Sequence, residues 1–239
     1  PGTTGKMQTV WDHVRLAAAR TPDHPAIVDD RSDRRLSFAE LIAEAETMAA
    51  GFSTAGIAYG HRVATMLPNV LEHAVTILAL HRLGAVVCMI NPRLKPDEAA
   101  GLISDGDISA LVCLADKAVV NAARGALPGG APVFTLGGRL SDTQDLAACR
   151  EDAAALAPWL TPVGFHACFV ATLSMNGTYY VHSAFDPAAA HAAIRDQGIT
   201  YLFGAPAHFH ALLGVPGFDT ADMNSVETLA YAGAAMPGP

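Results

Sequence analysis

The sequence predicts an α/β fold: mostly parallel sheets flanked by helices. Three observations carry that expectation. Short apolar runs alternate with amphipathic stretches from Val10 to Tyr231. The joints between them carry Gly, Pro, Asn and Asp, the residues that stop strands and start helices. And 51% of the 239 residues are hydrophobic while only 16% are charged, as expected of a sheet covered on both faces.

The elements follow in order. Thr9 to Arg20 has helical spacing and ends before Pro22 and Pro25. Ala26-Ile27-Val28 reads as a short strand, and Arg31 to Arg35 as a polar turn. Ser37-Phe38-Ala39-Glu40 is a capping box, in which the Ser hydroxyl takes the N3 amide and the Glu reaches back. The helix it opens runs to about Phe52. Arg62 to Leu67 is a buried strand closed by Pro68-Asn69. Leu71 to Leu83 is apolar nearly all round and so a buried helix, capped by Gly84. Ala85 to Ile90 is the next strand.

Lys95 to Ser104 is a helix with Pro96 in its first turn, where a missing N–H costs nothing. Ala110 to Leu114 is a strand, Ala118 to Ala126 a helix and Ala131 to Leu136 a strand. Asp142 to Pro158 reads as a surface helix or a linker. Beyond it lie an apolar helix, Val163 to Leu173, and a strand, Thr178 to Val181. Asp186 then caps a helix over Pro187 to Gln197. Thr200 to Phe203 is a strand stopped by Gly204-Ala205-Pro206, His208 to Leu213 a short helix, and Thr228 to Tyr231 a last strand.

Composition excludes several functions. A net charge of −8 leaves no basic stripe to neutralise phosphates, so no nucleic-acid partner is expected. The longest apolar stretch, Val163 to Leu173, falls short of the about 20 residues that span a bilayer, so no membrane partner is expected either. The four cysteines, Cys88, Cys113, Cys149 and Cys168, form no Cys-x-x-Cys pair, and the ten histidines show no metal-ligand spacing. Cys88, Cys113 and Cys168 sit in apolar runs, as buried thiols of a cytoplasmic protein would. Residues 1–6 read as a tag remnant or disordered start. Pro1 to Lys6 is not a phosphate loop, because the four residues between Gly and Gly-Lys are missing.

Two stretches carry a resemblance. The first joins Leu36-Ser37-Phe38-Ala39-Glu40-Leu41, His61-Arg62-Val63-Ala64, Leu67-Pro68-Asn69, Leu80-His81-Arg82-Leu83-Gly84-Ala85-Val86 and Ile90-Asn91-Pro92-Arg93-Leu94. The second joins Asp186-Pro187, Ile199 to Pro206, and Ala232-Gly233-Ala234-Ala235-Met236-Pro237. In order and spacing they resemble the adenylate-forming (AMP-binding) superfamily, in its acyl- and aryl-CoA ligase branch of benzoate-CoA ligase type.

The resemblance implies the large N-terminal domain of that fold in two α/β sub-lobes, 7–160 and 161–239, the second on the acyl-pocket side. It implies an acid–CoA ligase using ATP, Mg2+ and coenzyme A on an aromatic or medium-chain carboxylic acid. By analogy it implies a homodimer. Val163, Phe203, Ala232, Gly233 and Met236 would line the acyl pocket, and Gly233, Ala234 and Ala235 would meet the nucleotide. Phe203 also reads as plain core, Gly233 as a tight turn and Met236 as a gap-filler. Arg93 reads as a solvated surface arginine or as a residue on the coenzyme A and lid side.

The departures bear on activity. The family's Ser/Thr/Gly-rich phosphate loop, expected between Leu160 and Val163, has no counterpart in the sequence. The magnesium-binding Glu and the C-terminal lid domain with its Lys would follow Pro239, so the catalytic residues are not in this sequence. Chain breaks near Leu160–Thr161 and Pro162–Val163, and further segments after 239, are therefore expected. The alternative is a truncated or inactive homologue that acts as a ligand-binding or interaction module.

Overall fold

In the computed structural model the described residues are 9–29, 34–149, 169–181 and 185–232. They fall into two compact units, Pro1–Ser183 and Ala184–Pro239.

In the first unit helix α1 (Val10–Arg20) starts at Thr9, whose hydroxyl accepts the Asp12 N–H while the Asp12 carboxylate accepts that of Thr9. Strands β1 (Pro25–Asp29) and β2 (Arg34–Ser37) lead into α2 (Phe38–Thr54). The expected Ser37–Glu40 box is present, with bonds of 3.2 and 2.8 Å. Then come β3 (Arg62–Met66), α3 (Leu71–Leu83), β4 (Val86–Met89), α4 (Pro96–Asp105), β5 (Ala110–Leu114), α5 (Lys117–Ala126), β6 (Val133–Leu136) and β7 (Gln144–Asp145). A short helix α6 (Ala171–Ser174) and β8 (Tyr179–Val181) complete the unit.

Strands β3 to β7 form one parallel sheet in the order β4-β3-β5-β6-β7. Side chains alternate across it, as a pleated strand requires. Val63, Val112 and Phe134 join one apolar cluster with α2 and α3, and Phe52 meets the Phe134 ring edge-on at 4.8 Å. Ala64, Leu111 and Cys113 join a second cluster with Ile103 of α4 and Val120 of α5. Helix α3 is buried at every position from Leu71 to Leu80, as its uniform apolarity predicts. Gly84 ends it at φ 70°, a conformation that favours glycine.

Three local readings differ from the structure. Arg34 and Arg35 are not in a turn: they form β2, paired antiparallel with Asp29 and Val28 of β1, and Arg34 reaches the buried Glu72 carboxylate at 2.5 Å. Pairing and that ion pair override the local polarity. Of Asp142 to Pro158, Gln144–Asp145 is the edge strand β7 and Leu146–Cys149 a single 3-10 turn; 150–158 lie outside the described residues. Cys88 is only half-buried, because β4 is an edge strand of the sheet, whereas Cys113 is buried as expected.

Residues 169–181 belong to the first of the two compact units. Strand β8 pairs in parallel with β1, Asn176 donates to the Ala17 carbonyl at 2.9 Å, and Thr178 donates to that of Pro25 at 2.7 Å. These bonds hold residues 169–181 in the first unit.

The second unit is built from α7 (Pro187–Gln197), β9 (Tyr201–Gly204), α8 (Pro206–Leu213) and β10 (Thr228–Tyr231). The Asp186 carboxylate accepts the Ala188 and Ala189 amides and opens α7 as expected. Strands β9 and β10 pair in parallel. Buried His191 on α7 lies 2.8 Å from the Asp222 carboxylate and so anchors the 3-10 turn Thr220–Met223.

Candidate functional site

Two of the candidate residues, Phe203 and Ala232, lie at the carboxyl ends of β9 and β10, where open α/β sheets commonly bind ligands. The parallel register puts Phe203 beside Ala230 and Gly204 beside Tyr231. The chain then leaves β10 at Ala232, whose N–H donates to the Gly204 carbonyl at 3.3 Å. Phe203 is half-buried and Ala232 exposed. One backbone bond past the last strand pair thus brings together two of the sequence-predicted positions, Phe203 and Ala232.

The other candidates are placed differently. Val163, Gly233, Ala234, Ala235 and Met236 lie outside the described residues, as do the expected chain breaks at 160–163. Arg93 belongs to the first unit, where it is exposed in the turn after β4 and its N–H donates to Asn91 Oδ1 at 3.0 Å.

Sequence reading missed one residue at this edge, His208. It lies in the first turn of α8, which Pro206 opens. Its Nδ1 accepts the Ala205 N–H at 3.2 Å, so the neutral ring carries its proton on Nε2. Its ring face stacks on Phe185, with centroids 4.2 Å apart and planes 19° from parallel. The available signal was Pro206 at the start of a helix with a side-chain acceptor two residues later, at the N3 place usually held by Glu or Gln.

Two buried groups with large shifts, His73 and Cys113, lie elsewhere, in the core of the first unit. Burial lowers His73 to about 4, partly opposed by its bond to the Pro68 carbonyl. Burial, helped by the charge of Asp116, pushes the Cys113 thiol up to about 12. Among the described residues no three His, Cys, Asp or Glu side chains gather closely enough to hold a metal ion. Among the same residues no helix is long and apolar enough to cross a membrane.

Comparison with known proteins gives a consistent answer. The 4-chlorobenzoate–CoA ligase of Arthrobacter sp. is 29% identical over 282 residues, covering 96% of this chain and 54% of the relative. A feruloyl-CoA synthase of Amycolatopsis sp. is 30% identical over 247 residues, covering 84% of this chain and 50% of the relative. This chain thus spans about half the length of the curated relatives it matches. The 282 matched residues exceed the 239 of this chain, so the Arthrobacter ligase carries inserted residues within the matched span.

Among solved structures, an anthranilate CoA ligase in complex with anthranoyl-AMP superimposes with a TM-score of 0.81 at 16% identity, covering 96% of this chain and 55% of that one. A fatty acyl CoA synthetase of Mycobacterium tuberculosis gives 0.76 at 21% identity, covering 97% and 56%. At such identities these two show a shared fold. The family model described as AMP-binding enzyme matches residues 14–156, more than half of the sequence. The chain belongs to the AMP-binding enzyme family.

Proposed function

We propose that this chain supplies the acyl-binding side of an ATP-dependent acid–CoA ligase. The substrate class is an aromatic or medium-chain carboxylic acid, with aromatic acids first. Family membership supports the reaction class, and the names of the relatives, ligases of chlorobenzoate and ferulate, support the aromatic preference. The observation that carries the site is the meeting of Phe203 and Ala232 at the carboxyl edge of β9 and β10. An aromatic ring, a methyl group and bare backbone make an apolar wall suited to a flat acyl group. By resemblance, Val163, Gly233 and Met236 are also assigned to the acyl substrate, Gly233, Ala234 and Ala235 to the nucleotide, and Arg93 to coenzyme A.

The reaction would run in two steps in the cytoplasm. The acid's carboxylate oxygen attacks the α-phosphorus of ATP and pyrophosphate leaves. The coenzyme A thiol then takes the acyl group and AMP leaves. Mg2+ would offset the phosphate charge.

A second reading has its own support. The sequence contains no Ser/Thr/Gly-rich phosphate loop, and the Arthrobacter ligase carries extra residues within the matched span. If the loop is missing from the protein itself, a module that binds an acyl-adenylate without turnover is favoured. The test is pyrophosphate release by the full-length protein with ATP, Mg2+, coenzyme A and benzoate, alongside binding of a benzoyl-sulfamoyl-adenosine probe. Benzoate-dependent release supports the ligase. Probe binding without release selects the binding module. Neither binding nor release overturns both readings.

A further inference from the structure

The geometry points to His208 as a positioning residue that holds the acyl wall from behind; this rests on the assignment of Phe203 to the acyl pocket. Successive side chains of a strand point to opposite faces. Phe203 and Ala230 share one face of the β9–β10 pair. Gly204 therefore turns towards the other face. A Cβ built on it would lie 3.3 Å from His208 Nδ1 and 3.4 Å from Phe209 Cζ. Helix α8 is thus seated on the back of the strand, at the residue that follows Phe203.

Three restraints meet at this point. His208 Nδ1 takes the Ala205 N–H, which fixes the chain as it leaves β9. Phe185 stacks on the imidazole and holds its plane, tying the start of α7 to that of α8. The Gly204 carbonyl accepts the Ala232 N–H, so a shift of Gly204 moves both wall residues together. Glycine suits the position because any side chain would press on the ring that fixes it. His208 acts through backbone, on the far face from Phe203, and is not a catalytic residue.

The experiment compares the binding of two probes to the 239-residue protein: benzoyl-sulfamoyl-adenosine, and sulfamoyl-adenosine without the aryl group. His208→Ala is expected to weaken the aryl probe by about two- to tenfold, the worth of one hydrogen bond, and to spare the other probe. Gly204→Ala, which keeps the imidazole but crowds it, is expected to do the same. His208→Gln restores most of the loss, because Gln at N3 can accept the N-cap amide. A merely structural role would weaken both probes alike or neither, and either result overturns the proposal if Phe203→Ala still selectively weakens the aryl probe. If Phe203→Ala has no effect, or the protein binds neither probe, the pocket assignment fails and the proposal falls with it.

Discussion

His73 Nε2 lies 3.1 Å from the Thr65 hydroxyl, tying the first turn of α3 to the end of the strand that feeds it. The other ring nitrogen is 3.2 Å from the Pro68 carbonyl, which can only accept, so Nδ1 carries the proton and Thr65 donates to Nε2. The ring is buried and neutral, with its pKa lowered from 6.5 to about 4. Between those values the unfolded chain binds more protons than the folded one. Stability tied to His73 is therefore complete above pH 6.5 and is lost as the pH falls toward 4, by about 3 kcal/mol as an upper bound. Urea unfolding of wild type and His73→Gln across this range should show a shallower acid limb in the variant. Parallel limbs would mean His73 does not carry the effect.

Gly84 and Gly101 should respond to alanine with opposite signs. Gly84 sits at φ 70°, and a Cβ there would collide with the Tyr59 ring. Gly84→Ala should cost at least about 1 kcal/mol. Gly101 lies inside α4 with nothing within 4 Å of its would-be Cβ. Gly101→Ala should gain about 0.5–1 kcal/mol through helix propensity. Denaturant midpoints measured side by side check both.

Cysteine alkylation should follow burial. Cys88 on the edge strand is half-exposed and should label in the folded protein, whereas Cys113 should label only on unfolding. The folded state holds the Cys113 proton from its usual 9.0 up to about 12. In that window the unfolded state loses the proton first, so stability should fall as the pH rises above 9.0. Peptide mass spectrometry after alkylation reads the order. Labelling of Cys113 in the folded protein would contradict its burial.

Elements whose signal is local were legible in the sequence. Ser37 and Glu40, Pro96, Gly84 and Asp186 each mark a helix end within four residues, and each marks one in the structure. What escaped depends on partners distant in sequence. Arg34 is a strand residue because Asp29 and Glu72 are opposite it. Strand β8 joins the first unit because β1 offers it an edge, which no local pattern announces. In the candidate site, Phe203 and Ala232 were legible only through the resemblance. His208 was missed because an imidazole stands where a capping carboxylate or amide is usual.

The most direct test of the central claim is backbone hydrogen exchange of the 239-residue protein with and without benzoyl-sulfamoyl-adenosine. Binding at the carboxyl edge of β9 and β10 predicts slower exchange over Phe203–Ala205 and Ala230–Ala232. Exchange unchanged there under saturating probe would contradict the assignment of the acyl pocket.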